Sequence, residues 1–503
     1  MDFAITVTMI LIYIAGLAIA VYGNLLPVNE FEEYATGGRS FGWPFVAMTI
    51  IGTFYSGSIF ISSAQMGHDI GIVVTHMVYY GIGSLFILYL IAGPLWKLGK
   101  KYSLKSMGQF LELRFGGKPI RVFTGFVGIL IEFPWVITEF LAVGYAIQAV
   151  TYHKVPFNIG MIIMAMFITA YIIFAGARSV VIADYYQGWM YVLTGFTVIM
   201  VCVYKFFGGF GPMFMQVRDI SAELLTLPGA NPGWGGAAPG SLFWPSMIIS
   251  GIVGGFMWPS LFSRIFTASS TKELKEGNRV AVFVATLFLL LLCFLGIGTV
   301  ARPEFNKGDT AYVVINMISS LGPIAVAAIS ILILAGSLNM MDAMISSWSV
   351  VFTNDVLTPF FPKIKSKKQT SISRLFVLVV VIVALIIASR PLPTIIQIIN
   401  RMYQGIIQFF PAVFLSLYWK KGSKISAWGG ILSGLAVTAY YAFTAPDYIP
   451  QFGGLQGGTV ALGVNIVVYV VLALITKPAK NSEKLYAEMR VPDKDIIPVK
   501  IEN

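Results

Sequence analysis

Acidic residues inside apolar segments are the first candidates for chemistry in this sequence. Asp342 lies within a long apolar segment, three residues after Asn339, and so on much the same face of a helix. A charge in a membrane helix costs free energy, which makes a role in ion or solute passage the default hypothesis and burial against a basic partner the alternative. Asp342 is therefore a candidate cation ligand.

Two further carboxylates, Glu132 and Glu139, are seven residues apart and hence on one helix face. They could line an aqueous path, or they could be neutralised by a neighbouring Arg or Lys. Arg401 lies about seven residues into another apolar segment, where its guanidinium could bind a solute carboxylate through two hydrogen bonds. A salt bridge from Arg401 to Glu132 or Glu139 fits the same pattern.

The elements that carry these residues are membrane helices. The chain has 503 residues, of which 57% are hydrophobic and 11% charged, whereas a soluble domain has about a quarter charged residues. Apolar stretches of about 20 residues, long enough to cross a hydrocarbon core about 30 Å thick, recur throughout. We predict an all-α polytopic membrane protein with about thirteen transmembrane helices, at about residues 3–24, 44–67, 71–96, 121–150, 156–175, 180–205, 243–268, 280–301, 320–357, 372–390, 394–419, 425–445 and 457–476.

The basic residues indicate how these helices cross the membrane. Alternate loops carry roughly 27 of the 34 Lys and Arg, which follows the positive-inside rule. This pattern predicts a multi-pass protein of the cell (inner) membrane, with its N-terminus outside and its C-terminus in the cytoplasm. The net charge of +11 thus reports topology, and the expected surroundings are a lipid bilayer with no nucleic-acid partner.

Two helices are interrupted by glycine, and the second of them also by proline. Gly52 and Gly57 flank Ser56 in the first, and Gly254, Gly255 and Pro259 interrupt the second. Each begins a block of five helices, and an odd number gives the two blocks opposite orientations, which is typical of inverted-repeat transporters. The predicted organisation is a leading helix and loop in 1–43, a first repeat in 44–205, an extracytoplasmic loop in 206–242, a second repeat in 243–419, two trailing helices in 420–476 and a tail in 477–503.

Other function classes find little support in the sequence. The chain has three histidines, none in an HExxH motif or beside a nucleophile, so we expect no enzyme and no cofactor. A channel filter motif is also missing from the sequence. Cys202 and Cys293 lie in separate apolar segments, which excludes a CxxC metal site. A solute sensor on a transporter scaffold remains an alternative.

Three stretches in order resemble the sodium/solute symporter family over roughly residues 1–445. They are Tyr34–Ser40 (YATGGRS), Gly176–Gln187 (GARSVVIADYYQ) and Pro259–Ser270 (PSLFSRIFTASS). The first core helix is similar to those of the pantothenate and proline carriers. The resemblance implies one leading helix, a five-plus-five inverted-repeat fold, two trailing helices and uptake of a small polar solute by alternating access, driven by sodium.

The resemblance also implies a sodium site between the first and eighth core helices. The family's backbone ligands fall on Gly52 and Tyr55, and its eighth-helix positions fall on Gly336, Asn339 and Met340. The family places Ala, Ser and Ser or Thr at those last three positions, and a methionine thioether is a poor sodium ligand. The expected cation-binding residues, with Asp342 replacing the lost oxygen, are Gly52, Tyr55, Asp184, Gly336, Asn339 and Asp342.

Asp184 resembles the family's fifth-helix carboxylate. If Asp184 and Asp342 face each other, they could bind sodium, or they could share one proton because two close carboxylates resist joint ionisation. Proton coupling, or transport without a cation, is therefore an alternative to sodium coupling.

The solute is expected near the midplane, between the two broken helices. Groups that face this region in the implied architecture are Ser56, Ser58, His76, Trp135, Phe256, Trp258, Arg401 and Gln404. The resemblance supports Ser56, Trp135 and Gln404 best. A guanidinium at position 401 favours a carboxylate or a zwitterion as the solute.

Overall fold

The helices of this protein coincide with the predicted membrane segments. The computed structural model describes residues 2–22, 31–54, 56–152, 154–174, 177–227, 240–390, 392, 395–445 and 448–499. The principal helices are α1 Asp2–Tyr22, α2 Trp43–Phe54, α3 Gly57–Ile70, α4 His76–Tyr102, α5 Lys118–Val150, α6 Phe157–Phe174, α7 Ala177–Cys202, α8 Phe243–Gly254, α9 Pro259–Arg264, α10 Thr271–Gly298, α11 Pro323–Val351, α12 Ser366–Ala388, α13 Ile395–Ile406, α14 Phe410–Tyr418, α15 Lys424–Thr444 and α16 Gly457–Ile475. Shorter helices, among them Met107–Phe115 and Phe210–Ser221, connect them.

Length and apolarity agree with a protein that spans the membrane. Among the described residues, eight helical stretches are long and apolar enough to cross a bilayer, and shorter apolar helices such as α2 accompany them. The predicted segments 44–67 and 71–96 meet through a 3₁₀ turn, Gly71–Thr75, that joins α3 to α4. The prediction of an all-α polytopic fold is confirmed.

Both predicted helix interruptions are present. The first core helix divides into α2 and α3, and Ser56 caps α3 by accepting a hydrogen bond from the Ile59 amide at 3.3 Å. The second divides into α8 and α9, and Pro259 stands at the first turn of α9, where a proline needs no amide hydrogen. Each break frees backbone groups inside the bundle.

Helix α11 lies at the centre of the bundle. It packs against α7, α5, α1, α3, α2 and α9, and every residue from Leu332 to Ile345 is buried. A helix buried on all faces is surrounded by protein. Polar groups on α11 therefore meet groups of both broken helices in a dry interior.

At one end of the bundle, the segment that precedes α2 contacts both repeats. The Arg39 guanidinium donates hydrogen bonds to the backbone oxygens of Phe266 (3.1 Å) and Leu104 (2.9 Å). Phe41 forms a parallel β-bridge with Ala268. The segment before α2 is thereby joined to the segment after α9.

Candidate cation and solute site

Asp184 and Asp342 meet in the interior, between α7 and α11. Both are fully buried, and their carboxyl groups lie close enough to interact. The Asp184 carboxylate lies 3.0 Å from the Arg264 guanidinium and accepts a hydrogen bond from the Thr49 hydroxyl. Residues of α2, α7, α9 and α11 thus share one charged cluster.

The side chain of Asn339 fills the space between α2 and α7. Its Nδ2 donates to the Asp184 backbone oxygen at 3.2 Å, and a β-carbon at position 52 would overlap its amide group. Its Oδ1 is buried without a hydrogen-bond partner among the described residues. Gly52, Asp184, Asn339 and Asp342, all expected cation ligands, are therefore neighbours, and we refer to them as the aspartate cluster.

Gly336, another expected cation ligand, lies outside the aspartate cluster. Gly336 stands one turn before Asn339, where it packs against the backbone of Ser56 and Gly57 at the start of α3. Tyr55 lies outside the described residues.

The charge balance of the aspartate cluster, together with the Arg264 guanidinium beside it, favours a bound cation. Two ionised carboxylates facing one guanidinium leave a net negative charge, which is costly in a dry interior. A hard cation or a proton would offset that charge, and the free Oδ1 of Asn339 is an oxygen of the kind that hard cations bind.

Glu139 lies at the break between α2 and α3. Its carboxylate accepts hydrogen bonds from the Ser58 amide (3.2 Å) and the Ser58 hydroxyl. The hydroxyls of Ser56 and Ser337 also face it. The predicted solute contacts Ser56 and Ser58 are thus engaged by a carboxylate of the protein.

Glu132 is held by a different set of donors. The Ser260 hydroxyl and the Trp348 indole nitrogen both donate to its carboxylate, which connects α5 to α9 and α11. Within the described part of the chain, no Arg or Lys forms an ion pair with Glu132 or Glu139. For neutralisation by basic neighbours, one of the two interpretations of the sequence, the described residues therefore provide no ion pair.

A buried aromatic cluster lies between the two broken helices. The rings of Trp135, Trp258 and Tyr403 have centroids 5.0–6.0 Å apart. Further rings extend the cluster to Phe54, His76, Tyr80 and Phe256. The Trp135 indole nitrogen has no hydrogen-bond partner among the described residues. Four predicted solute contacts, His76, Trp135, Phe256 and Trp258, are brought together here.

Arg401 and Gln404 are not brought into the aromatic cluster. The Arg401 side chain is exposed, and it makes no ion pair with either glutamate of α5. Gln404 points toward a trailing helix, where its Oε1 accepts a hydrogen bond from the Gly458 amide at 2.9 Å. The expected contact of the Arg401 guanidinium with a solute beside Trp135 is therefore not supported by this arrangement.

Several residues of the site were not predicted from the sequence. Thr49, Tyr80, Ser337 and Tyr403 are ordinary members of apolar helices by type, and Arg264 reads as a loop charge. Only the meeting of several helices reveals their contacts with Asp184, Glu139 and Trp135.

Comparison with known proteins agrees with this geometry. The family model described as the sodium:solute symporter family matches residues 34–434. The chain belongs to the sodium:solute symporter family. It is thus a secondary transporter rather than an enzyme, and it couples a cation, sodium in this family, to the symport of a small organic solute.

Curated relatives resemble the symporter over most of their length. A protein named uncharacterized symporter YhjB, from Bacillus subtilis (strain 168), is 23% identical over 90% of this chain and 93% of its own. A sodium/proline symporter of Staphylococcus aureus (strain bovine RF122 / ET3-1) is 23% identical over 94% of this chain and 93% of its own.

Solved structures share the fold of the symporter. A substrate-bound, outward-open Na+-coupled sialic acid symporter aligns with a TM-score of 0.77 at 16% identity, over 95% of this chain and 99% of its own. Mhp1, a nucleobase-cation-symport-1 family transporter in a closed conformation, aligns with a TM-score of 0.56 at 14% identity, over 92% and 99%. The five-plus-five inverted-repeat prediction is confirmed at the level of fold.

Proposed function

We propose that this symporter couples sodium entry at the aspartate cluster to the uptake of a small zwitterionic solute held by the aromatic cluster. The observation that carries the proposal is the position of the Trp135, Trp258 and Tyr403 rings between the two broken helices. Broken helices of this kind bind solute and ion in inverted-repeat transporters.

Sodium binding at the aspartate cluster is supported by its oxygen atoms and its charge. Asp184 and Asp342 supply carboxylates, and Asn339 supplies a buried oxygen for which the described residues provide no hydrogen-bond partner. These atoms replace the hydroxyls that the family resemblance leads one to expect on α11. The coupling ion is the sole inorganic group in this proposal, which includes no organic cofactor.

A zwitterion is favoured over a simple anion. Aromatic faces attract an ammonium group. The Trp135 indole N–H, which has no acceptor in the described part of the chain, can donate to a carboxylate. Because the Arg401 side chain is exposed, it gives no support for an anion held by a guanidinium in this cluster. A relative named for proline, itself a zwitterion, is similar over 94% of this chain.

Proton coupling is a second candidate, favoured by the proximity of the buried Asp184 and Asp342 carboxyl groups. Two carboxyl groups in contact hold a shared proton more readily than two negative charges. A solute could then be driven by a pH gradient through the same cluster.

Uptake by the purified protein in liposomes distinguishes these proposals. We would first screen zwitterions and organic acids for ligands that raise the melting temperature in sodium, potassium or acidic buffer. Uptake of the best ligand is then measured with a sodium gradient or a pH gradient. Uptake driven by sodium at constant pH supports sodium coupling, whereas uptake driven solely by the pH gradient overturns it.

We also propose the cell membrane as the location, with the N-terminus outside and the C-terminal tail in the cytoplasm. The basic loops support this orientation. Cysteine-labelling at each terminus of the protein in intact cells tests it, and labelling of the tail from outside would overturn it.

A further inference from the structure

Glu139 is a fully buried carboxylate for which the described residues provide hydrogen-bond donors but no positive charge. It is 0% exposed, and no Arg, Lys or His of the described chain lies in ion-pair contact with it. An ionised carboxylate in a dry interior is stable only with a counter-charge or an added proton. Hydrogen bonds from Ser58 reduce this cost without supplying a full charge.

The groups around Glu139 form a set of oxygen atoms from three helices. Ser56 Oγ lies 3.0 Å from Ser58 Oγ, and both hydroxyls face the carboxylate from the start of α3. Ser337 faces it from α11, and its hydroxyl is fully buried without a hydrogen bond of regular geometry among the described residues. Hard monovalent cations prefer such oxygen ligands, and an unpartnered hydroxyl is available to bind one.

Glycine makes this arrangement possible. A β-carbon at Gly57 would overlap the Ser337 hydroxyl, and one at Gly336 would overlap the backbone of Gly57. The two glycines therefore let α11 approach the start of α3 closely enough to bring Ser337 beside Glu139.

We propose that Glu139, with the hydroxyls of Ser56, Ser58 and Ser337, forms a second sodium site. This inference rests on the proposed sodium coupling and adds a second ion to it. The site is separate from the aspartate cluster in two respects. Ser337 and Asn339 are neighbours along α11 but point to nearly opposite sides of the helix, and Ser337 and Asp342 are about 7.5 Å apart along its axis. Tyr191 shows which part of α7 lies beside the second site, because its hydroxyl donates to the Ser56 backbone oxygen at 3.4 Å. Along α7, Tyr191 is about 10 Å from Asp184.

A cation at Glu139 would connect ion binding to the broken helix. The carboxylate comes from α5, and the hydroxyls come from α3 and α11. Sodium would draw these three helices together at the start of α3, close along the chain to Phe54 of the aromatic cluster. Binding of the second ion would therefore order the helices beside the aromatic cluster.

The test is the number of sodium ions bound per protein, measured with radioactive sodium on the purified full chain in detergent. We expect two ions for the wild type, one for Glu139→Gln and one for Asp342→Asn. Ser337→Ala removes one ligand oxygen and should weaken one of the two sites several-fold. Glu132→Gln is the matched control, since Glu132 is equally buried on the same helix but accepts hydrogen bonds from Ser260 and Trp348; it should still bind two ions.

The outcomes separate this inference from the proposed function. Two ions bound by Glu139→Gln, or one ion in the wild type that is lost solely in Asp342→Asn, overturn the second site and leave sodium coupling intact. A loss of solute binding in Glu139→Gln with two ions retained also overturns it, because Glu139 would then be a solute contact. No sodium binding by the wild type overturns both proposals.

Discussion

Gly52 lies directly against the side-chain amide of Asn339, so that the first broken helix and α11 touch beside the aspartate cluster. A β-carbon at position 52 would overlap that amide, which is itself fixed by its hydrogen bond to the Asp184 backbone oxygen. The close approach depends on the absence of a side chain at one position and on a short amide at the other.

Substitution of Gly52 should lower the stability of the protein, and removal of the Asn339 amide should restore part of that stability. We expect Gly52→Ala to cost about 1–3 kcal/mol through overpacking. The double variant Gly52→Ala with Asn339→Ala should regain part of that loss, because the two residues are in contact. Unfolding in mild detergent measures both variants, and additive effects would contradict the contact.

Asp342 should be required for cation dependence. Asp342→Asn keeps the shape of the side chain but removes one negative charge from the aspartate cluster, so sodium-dependent uptake should fall at least tenfold. Asp219→Asn, at an exposed acid outside the cluster, should leave uptake unchanged. The measurement is initial uptake rate against sodium concentration, and wild-type sodium dependence in Asp342→Asn would contradict the assignment.

The Trp135 indole N–H should contribute to solute affinity. Trp135→Phe keeps an aromatic ring but removes the unpartnered donor, which should weaken solute binding by about 1–2 kcal/mol, or roughly five- to thirty-fold. The half-saturation concentration for uptake measures this effect. Trp189→Phe, at an exposed tryptophan, is the control, and equal affinity for the Trp135 variant would remove this residue from the solute site.

Loss of one partner from the ion pair between Arg264 and Asp184 should lower the free energy of unfolding. Arg264→Gln leaves the buried Asp184 carboxylate without its guanidinium, at a cost of about 3 kcal/mol. Adding Asp184→Asn should recover much of that loss. The exposed pair of Arg279 and Glu276 provides a comparison, since Arg279→Gln should change unfolding little. A stable Arg264→Gln single variant would contradict this account.

The fold could be predicted from the sequence because the apolar segments and the glycines that interrupt them are local features of the chain. Each predicted membrane segment coincides with a helix or a helix pair, and both interruptions occur where glycine and proline predict them. The lengths of apolar segments are fixed by bilayer thickness, which leaves few other arrangements.

The site could be predicted only in part, because its contacts depend on rotation about helix axes. Arg401 was predicted to face the solute because it lies well inside an apolar segment. In α13 its side chain is exposed, whereas Tyr403, two residues later, faces Trp135. Nothing in the local sequence distinguishes Ser337 from other hydroxyls in apolar helices. Its role depends on the meeting of α3, α5 and α11.

The hydrogen bonds of Arg39 affect how the protein tolerates mutation. Its acceptors are the backbone oxygens of Leu104 and Phe266, and every amino acid carries such an oxygen. Side-chain changes at positions 104 and 266 therefore leave both acceptors in place, whereas loss of the single guanidinium removes both bonds at once. Of the contacts that join the segment before α2 to the segment after α9, the hydrogen bond from Arg39 to Phe266 depends on one side chain, whereas the bridge between Phe41 and Ala268 is made by backbone atoms.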